Sequence, residues 1–215
     1  MRGSLICNLF LLVTLCGAVF AAESVRFTVL YDNYFYNESL HTAWGFACLV
    51  EAGKRTILFD TGGNAEILLS NMATLGIDPD RIEIVVLSHI HGDHVGGLFG
   101  LLELNNAVTV YLPASFPNDF KERVRAYGAS VVEVRGPMEL VPGVWSTGEM
   151  GTWIKEQALV VQSAKGLVVI TGCAHPGVVN MVIKAKEIAG DRIYLVLGGF
   201  HMSGMSQTQI QEVIR

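Results

Sequence analysis

The sequence predicts a single layered α/β domain, with sheets covered by helices, and three observations carry that expectation. First, 215 residues that are 51% hydrophobic and only 16% charged can bury one sizeable core, at roughly 150 residues per domain. Second, short β-branched or aromatic runs bounded by turn residues give way to runs with helical spacing, the pattern of sheets with covering helices. Third, no internal repeat, low-complexity tract or Pro/Gly/Ser linker divides the chain, which argues against two domains.

The elements follow in order. Residues Arg26–Tyr31, Trp44–Glu51 and Arg55–Phe59 read as strands, the last two joined as a hairpin across Ala52-Gly53-Lys54. Ala65–Leu75 carries Ile67, Leu68, Met72 and Leu75 at helical spacing and stops at Gly76, with Pro79 beyond it. Ile82–Leu87 is a nearly continuous apolar run and reads as a buried strand. Val95–Leu104 then reads as helix, Val108–Leu112 as strand, Phe116–Tyr127 as helix and Ser130–Val134 as strand. Gly143–Thr147, Ala158–Gln162 and Leu167–Thr171 are three further strands, followed by helix Val178–Ala189, strand Ile193–Leu197 and helix Gln207–Ile214.

The first 21 residues stand apart. Arg2, the apolar run Leu5–Phe20 and the small residues around Ala21-Ala22 have the form of a secretory signal. The run is shorter than the ~20 apolar residues that span a bilayer. The expectation is therefore a signal at 1–21, a domain at 22–215, a secreted or periplasmic location and no stable membrane span once the signal is gone. Cys7 and Cys16 leave with the signal, so Cys48 and Cys173 remain, too few for a disulfide framework. A formal charge of -5, with lysine and arginine scattered, offers a phosphate backbone no basic footprint and excludes nucleic acid as a general partner. A small-molecule substrate is expected; the oligomeric state is open.

The chemistry gathers around histidine. Of six histidines, five lie in glycine-bearing stretches that follow predicted strands, an unusual place for core histidines. Directly after the strand Ile82–Leu87 comes Ser88-His89-Ile90-His91-Gly92-Asp93-His94, an HxHxDH run. In extended chain His89 and His91 point to the same side, and Asp93 and His94 follow at the turn, where Gly92, Gly96 and Gly97 allow tight folding. Three imidazoles and a carboxylate on one loop suit a borderline cation such as zinc and leave room for two. The chance of this run by composition alone is on the order of one in ten thousand.

HxHxDH after a strand, preceded by a strand ending in Leu58-Phe59-Asp60-Thr61-Gly62, resembles the metallo-β-lactamase superfamily of metal-dependent hydrolases, over nearly all of the chain beyond the signal. With Asp32-Asn33, Thr171-Gly172-Cys173-Ala174-His175-Pro176-Gly177 and Gly198-Gly199-Phe200-His201, it is similar to the subgroup labelled 7,8-dihydropterin-6-methyl-4-(β-D-ribofuranosyl)aminobenzene-5′-phosphate synthase-like. The resemblance implies an αββα sandwich with the metals at one sheet edge. It matches His89 and His91 to a first metal site and Asp93 and His94 to a second. Asp60 matches a strand-end aspartate that steadies the metal loop through hydrogen bonds. His175 and His201 are the further ligand candidates.

Departures from the family pattern leave alternatives. No histidine lies between His94 and His175, and Glu149 in Ser146-Thr147-Gly148-Glu149 stands where one is sought, as a substitute ligand or a solvated turn residue. Cys173 takes the place of a bridging aspartate, as a thiolate ligand or as a small buried residue. His201 is read as ligand, substrate contact or structural residue. His41 and the aromatics Tyr31, Tyr34, Phe35, Tyr36 and Trp44 either line the pocket or pack on strands. The chain stops at Arg215 inside a predicted helix, so a C-terminally truncated sandwich lacking one ligand loop is part of the expectation.

The resulting expectation is an exported hydrolase with two zinc ions, iron and manganese remaining open. Cation-bound hydroxide would attack an ester, phosphoester or amide-type small molecule, with Asp93 holding the nucleophile. Two rivals are a metal-dependent phosphoribosyl-type synthase or transferase and an inactive or truncated metal-binding scaffold.

Overall fold

Alternation along the strands sorts the apolar side chains into three layers of core. The computed structural model describes residues 24–190 and 192–214, so the expected signal at 1–21 lies outside the described residues. The first sheet contains β1 (Val25–Tyr31), β2 (Ala47–Ala52), β3 (Arg55–Phe59), β4 (Ile84–Val86), β5 (Thr109–Pro113) and β6 (Ser130–Val134), paired in that order. Its first three strands form an antiparallel meander, and β3 through β6 run parallel. The second sheet contains β7 (Met138–Val141), β8 (Val144–Ser146), β9 (Leu159–Ser163), β10 (Gly166–Thr171) and β11 (Ile193–Gly198) in the order β11-β10-β9-β8-β7, with only β10 and β11 parallel.

Leu49, Leu58, Val85 and Val110 of the first sheet face a cluster shared with α1 (Ala65–Thr74), α3 (Leu98–Leu104) and α4 (Asn118–Ala126); α2 (Gly92–Val95) precedes α3. Their neighbours Cys48, Val50, Ile57, Phe59, Ile84 and Val86 point the other way and meet Val144, Leu159, Val161, Val168 and Ile170 of the second sheet. The far face of that sheet, through Val160, Leu167 and Val169, packs on Met181 and Ala185 of α5 (Val178–Ala189). The period of two thus dictates the layers, helix, sheet, sheet, helix. Each fully buried leucine, isoleucine or phenylalanine stabilises the stack by about 1.5–3 kcal/mol. The final helix, α6 (Gln207–Ile214), follows β11.

Several expected boundaries shift for local reasons. β2 starts at Ala47, because Gly45 N–H is bonded to Asn33 Oδ1 at 2.8 Å and Trp44-Gly45 belongs to a loop. The helix expected over 95–104 is broken into α2 and α3 at Gly96-Gly97, where the backbone presses on the turn after β3. A Cβ at Gly96 would lie 2.3 Å from Gly63 O and one at Gly97 2.2 Å from Thr61 O. β7 went unread, since Met138–Val141 is an edge strand with little buried apolar signal. Pro79–Arg81 forms a 3₁₀ turn capped by Asp78. Helix α1 starts where expected, with Asn64 accepting the Ile67 N–H, and ends one residue early at Thr74, with Leu75 as its cap and Gly76 turning at φ 67. Among the described residues no helix is long and apolar enough to cross a membrane.

Candidate metal centre

Parallel strands deliver the histidines. β3 leads into Asp60, β4 leads into His89, β10 leads into Cys173 and β11 leads into His201, so C-terminal strand ends from both sheets converge on one edge. Neighbouring imidazole centroids lie 4.3–4.9 Å apart, linking His89 with His91, His94 and His175, and His175 with His91 and His201. Three overlapping triads bring donor atoms within 4.8 Å of one another: His89, His91 and His175; His89, His94 and Cys173; and Cys173, His175 and His201.

Asp60 fixes the first-sheet half of the site. It is fully buried, at φ 54, a backbone region aspartate tolerates. Its Oδ1 accepts the Ser88 N–H at 2.6 Å, and its Oδ2 accepts the Ser88 hydroxyl at 2.6 Å and His94 Nδ1 at 2.7 Å. Because Ser88 spends its only proton on Asp60, its contact with His89 Nδ1 at 2.9 Å requires that ring nitrogen to donate. Asp60 thereby sets the proton on Nδ1 of both histidines and turns both Nε2 atoms to the site.

Electrostatics separates the imidazoles. Burial, reinforced by the neighbouring rings, takes His89 down to about 2; burial and His201 take His175 down to about 4. For His94 burial opposes the charge, but the Asp60 carboxylate, with Asp93 and Cys173, outweighs it and raises the ring to about 12. His94 Nε2 lies 3.1 Å from Cys173 Sγ and 3.4 Å from Asp93 Oδ2. The hydrogen bond from His94 lowers Asp93 to about 2.

A cation fits these residues. His89 Nε2 and His175 Nε2 are buried and meet no hydrogen-bond partner among the described residues, a costly arrangement for a polar atom that ligation resolves. The donor set of imidazole, thiol and carboxylate is that of a borderline cation.

The profile described as the metallo-beta-lactamase superfamily matches residues 45–183. The chain belongs to the metallo-β-lactamase superfamily. The 7,8-dihydropterin-6-methyl-4-(beta-D-ribofuranosyl)-aminobenzene-5'-phosphate synthase of Methanocaldococcus jannaschii is 30% identical, across 90% of this chain and 83% of that protein. The crystal structure of Tm1679, described as a metal-dependent hydrolase of the beta-lactamase superfamily, superposes with a TM-score of 0.72 at 29% identity, over 89% of this chain and 82% of the other. Human tRNase Z, short form, shares the fold at a TM-score of 0.55 and 17% identity, over 74% of this chain and 73% of the other.

Within this metallo-β-lactamase fold, His89, His91, His94, Cys173, His175 and His201 come together, and Asp93 borders them beside His94. His175 brings a third imidazole to His89 and His91, so the stretch between His94 and His175 need not contain one. Glu149 belongs to none of the triads; its Oε1 accepts the Ser115 N–H at 2.6 Å and ties two loops. His41 is exposed and bonded to α1 through Asn71. Tyr31 is core, 2% exposed, whereas Tyr34, Phe35, Tyr36 and Trp44 are all exposed. Their loop is tied to the centre through the Phe46 N–H bond to Asp93 O. Cys48 and Cys173 are both free thiols.

Sequence reading missed Ser88, Glu156 and Gln157. Glu156 is fully buried, and its carboxylate accepts the N–H groups of Gly172, Cys173, Ala174 and His175. Burial raises its pKa against the pull of those bonds. The local signal for Glu156 is a charged residue two positions before the predicted strand Ala158–Gln162, which ordinarily reads as solvated.

Proposed function

We propose that this protein is an exported metal-dependent hydrolase that holds a pair of zinc ions and cleaves an ester, phosphoester or amide bond in a small molecule. The observation that carries the reading is the pair of unpartnered buried nitrogens, His89 Nε2 and His175 Nε2, aimed into a cluster of further donors. The hydrolase description of Tm1679 supports it; the export half rests on residues 1–21 of the sequence. When bound, such cations polarise a substrate oxygen and acidify water toward neutral pH.

The chain's own residues prepare the rest. His89 and His175, held unprotonated at neutral pH, present lone pairs. The Asp60-Ser88 relay keeps the His89 and His94 rings in place. Asp93 stays ionised with its side chain 22% exposed, so it can accept a hydrogen bond from an attacking water and orient it. Tyr34, Phe35 and Trp44, exposed on the loop tied to Asp93, offer flat faces to an apolar or ring-bearing substrate.

The test is a screen of ester, phosphoester and amide substrates with zinc-loaded and chelator-treated protein. Release of free acid that stops on chelation supports the reading; no release from any class in the zinc-loaded protein contradicts it. A second reading, a phosphoribosyl-type synthase, draws on the name of the Methanocaldococcus jannaschii relative; a joined product in place of free acid would favour it.

A further inference from the structure

We infer that the dipeptide Glu156-Gln157 is the positioning element of the metal centre, clamping the ligand loops of the two sheets to each other. The inference rests on the metal-centre reading above.

The two side chains serve different loops. Glu156 Oε1 accepts three successive N–H groups, from Gly172, Cys173 and Ala174, at 3.1, 3.0 and 2.9 Å, and Oε2 accepts the His175 N–H at 2.8 Å. Consecutive amides turned onto one anion form a backbone nest, with Ala174 at φ 57 inside it. The carboxylate therefore decides where Cys173 Sγ and His175 Nε2 stand. Gln157 turns to the first sheet. Its backbone N–H donates to Ser88 O at 3.0 Å, and its Nε2 donates to Leu87 O at 2.8 Å, directly before His89.

The clamp leaves no slack. A Cβ at Gly172 would lie 2.1 Å from Ser88 Oγ, so the two loops already touch where only glycine fits. The triads that join the loops, such as His89, His91 and His175, exist only while this separation is kept. A buried carboxylate costs free energy unless its acceptor capacity is filled. Four N–H donors fill that of Glu156, and a neutral amide cannot accept them all: Glu156→Gln sets an N–H against the N–H of His175 or of the other three.

The experiment uses the full chain with cobalt(II) as probe, read by uptake and by optical absorption, in which Cys173 ligation gives a thiolate-to-cobalt band. Glu156→Gln is expected to weaken cobalt binding roughly ten- to a hundredfold, the usual effect of removing a group that holds a ligand, and to shift that band. Gln157→Met is expected to weaken binding with the Cys173 band retained, because its contacts lie on the His89 side. Unchanged affinity and an unchanged band in folded Glu156→Gln would overturn the clamp. Where Glu156→Gln fails to fold, wild-type affinity in Gln157→Met would overturn it. Wild-type protein that takes up no cobalt would instead overturn the metal-centre reading itself.

Discussion

Replacing Asp60 by Asn changes one buried atom from acceptor to donor, and through it the tautomers of two ligand histidines. In the native site both carboxylate oxygens only accept, so the Ser88 hydroxyl points at Asp60 and His89 Nδ1 points at Ser88. Asparagine keeps the volume, tolerates the φ of 54, and retains an oxygen for the Ser88 N–H. Its amide nitrogen then stands where Oδ2 met Ser88 Oγ and His94 Nδ1. The Ser88 hydroxyl, now an acceptor from that amide, is free to donate to His89 Nδ1, and His94 Nδ1 also becomes an acceptor. His89 moves its proton to Nε2, and His94 gives up the proton on Nδ1 and keeps the one on Nε2, so in both rings the atom a cation needs is blocked. Losing the outer hydrogen bond of one ligand histidine costs about ten- to a hundredfold in metal affinity, or about 1.4–2.7 kcal/mol. With two rings turned together the expected loss is roughly a hundredfold or more. Competition with a chromophoric chelator measures the affinity, and nitrogen NMR of the two rings reports the tautomers. Wild-type affinity with both rings still protonated on Nδ1 would refute the relay.

Two further predictions follow from burial and charge. A cation entering at His89 and His175, lowered to about 2 and about 4, displaces no proton from them near neutral pH, while one entering at His94, raised to about 12, must. Affinity for the cation at His94 therefore rises with pH, and calorimetric titrations in buffers of different ionisation enthalpy should record proton release from that step; loading without proton release contradicts it. Cys48, between the sheets, is raised by burial from 9.0 to about 12. The unfolded chain gives up this proton first, so the native state loses stability as pH climbs from 9.0 toward about 12. Denaturant midpoints of wild type should fall more steeply across that window than those of Cys48→Ala, and parallel slopes would contradict the assignment.

What the sequence revealed depended on whether the signal was local. The period of two in β2, β3, β9 and β10 and the turn residues around α1 are local, so the layers could be expected before the structure was seen. The HxHxDH run is local as well, since alternation alone puts His89 beside His91. The remainder of the site is tertiary. His175 joins His89 only because β10 ends against β4, 86 residues away in numbering, with glycine at 172 permitting the approach. Glu156 and Gln157 resemble any polar pair before a strand until their partners are seen, and Glu149, open by sequence between a substitute ligand and a solvated turn residue, ties Ser115. The break between α2 and α3 has a similar origin. Apolar spacing continues through it, and only the contact with the turn after β3 makes Gly96-Gly97 the point where the helix is interrupted.

The most direct test of the central claim is metal content per chain, by elemental analysis of protein purified from residue 22 without chelator, beside the His89→Ala/His91→Ala double variant. About two cations per chain are expected in the wild type, and loss of both metal and turnover in the variant. Wild type without metal, or a double variant that retains its full content, would contradict it.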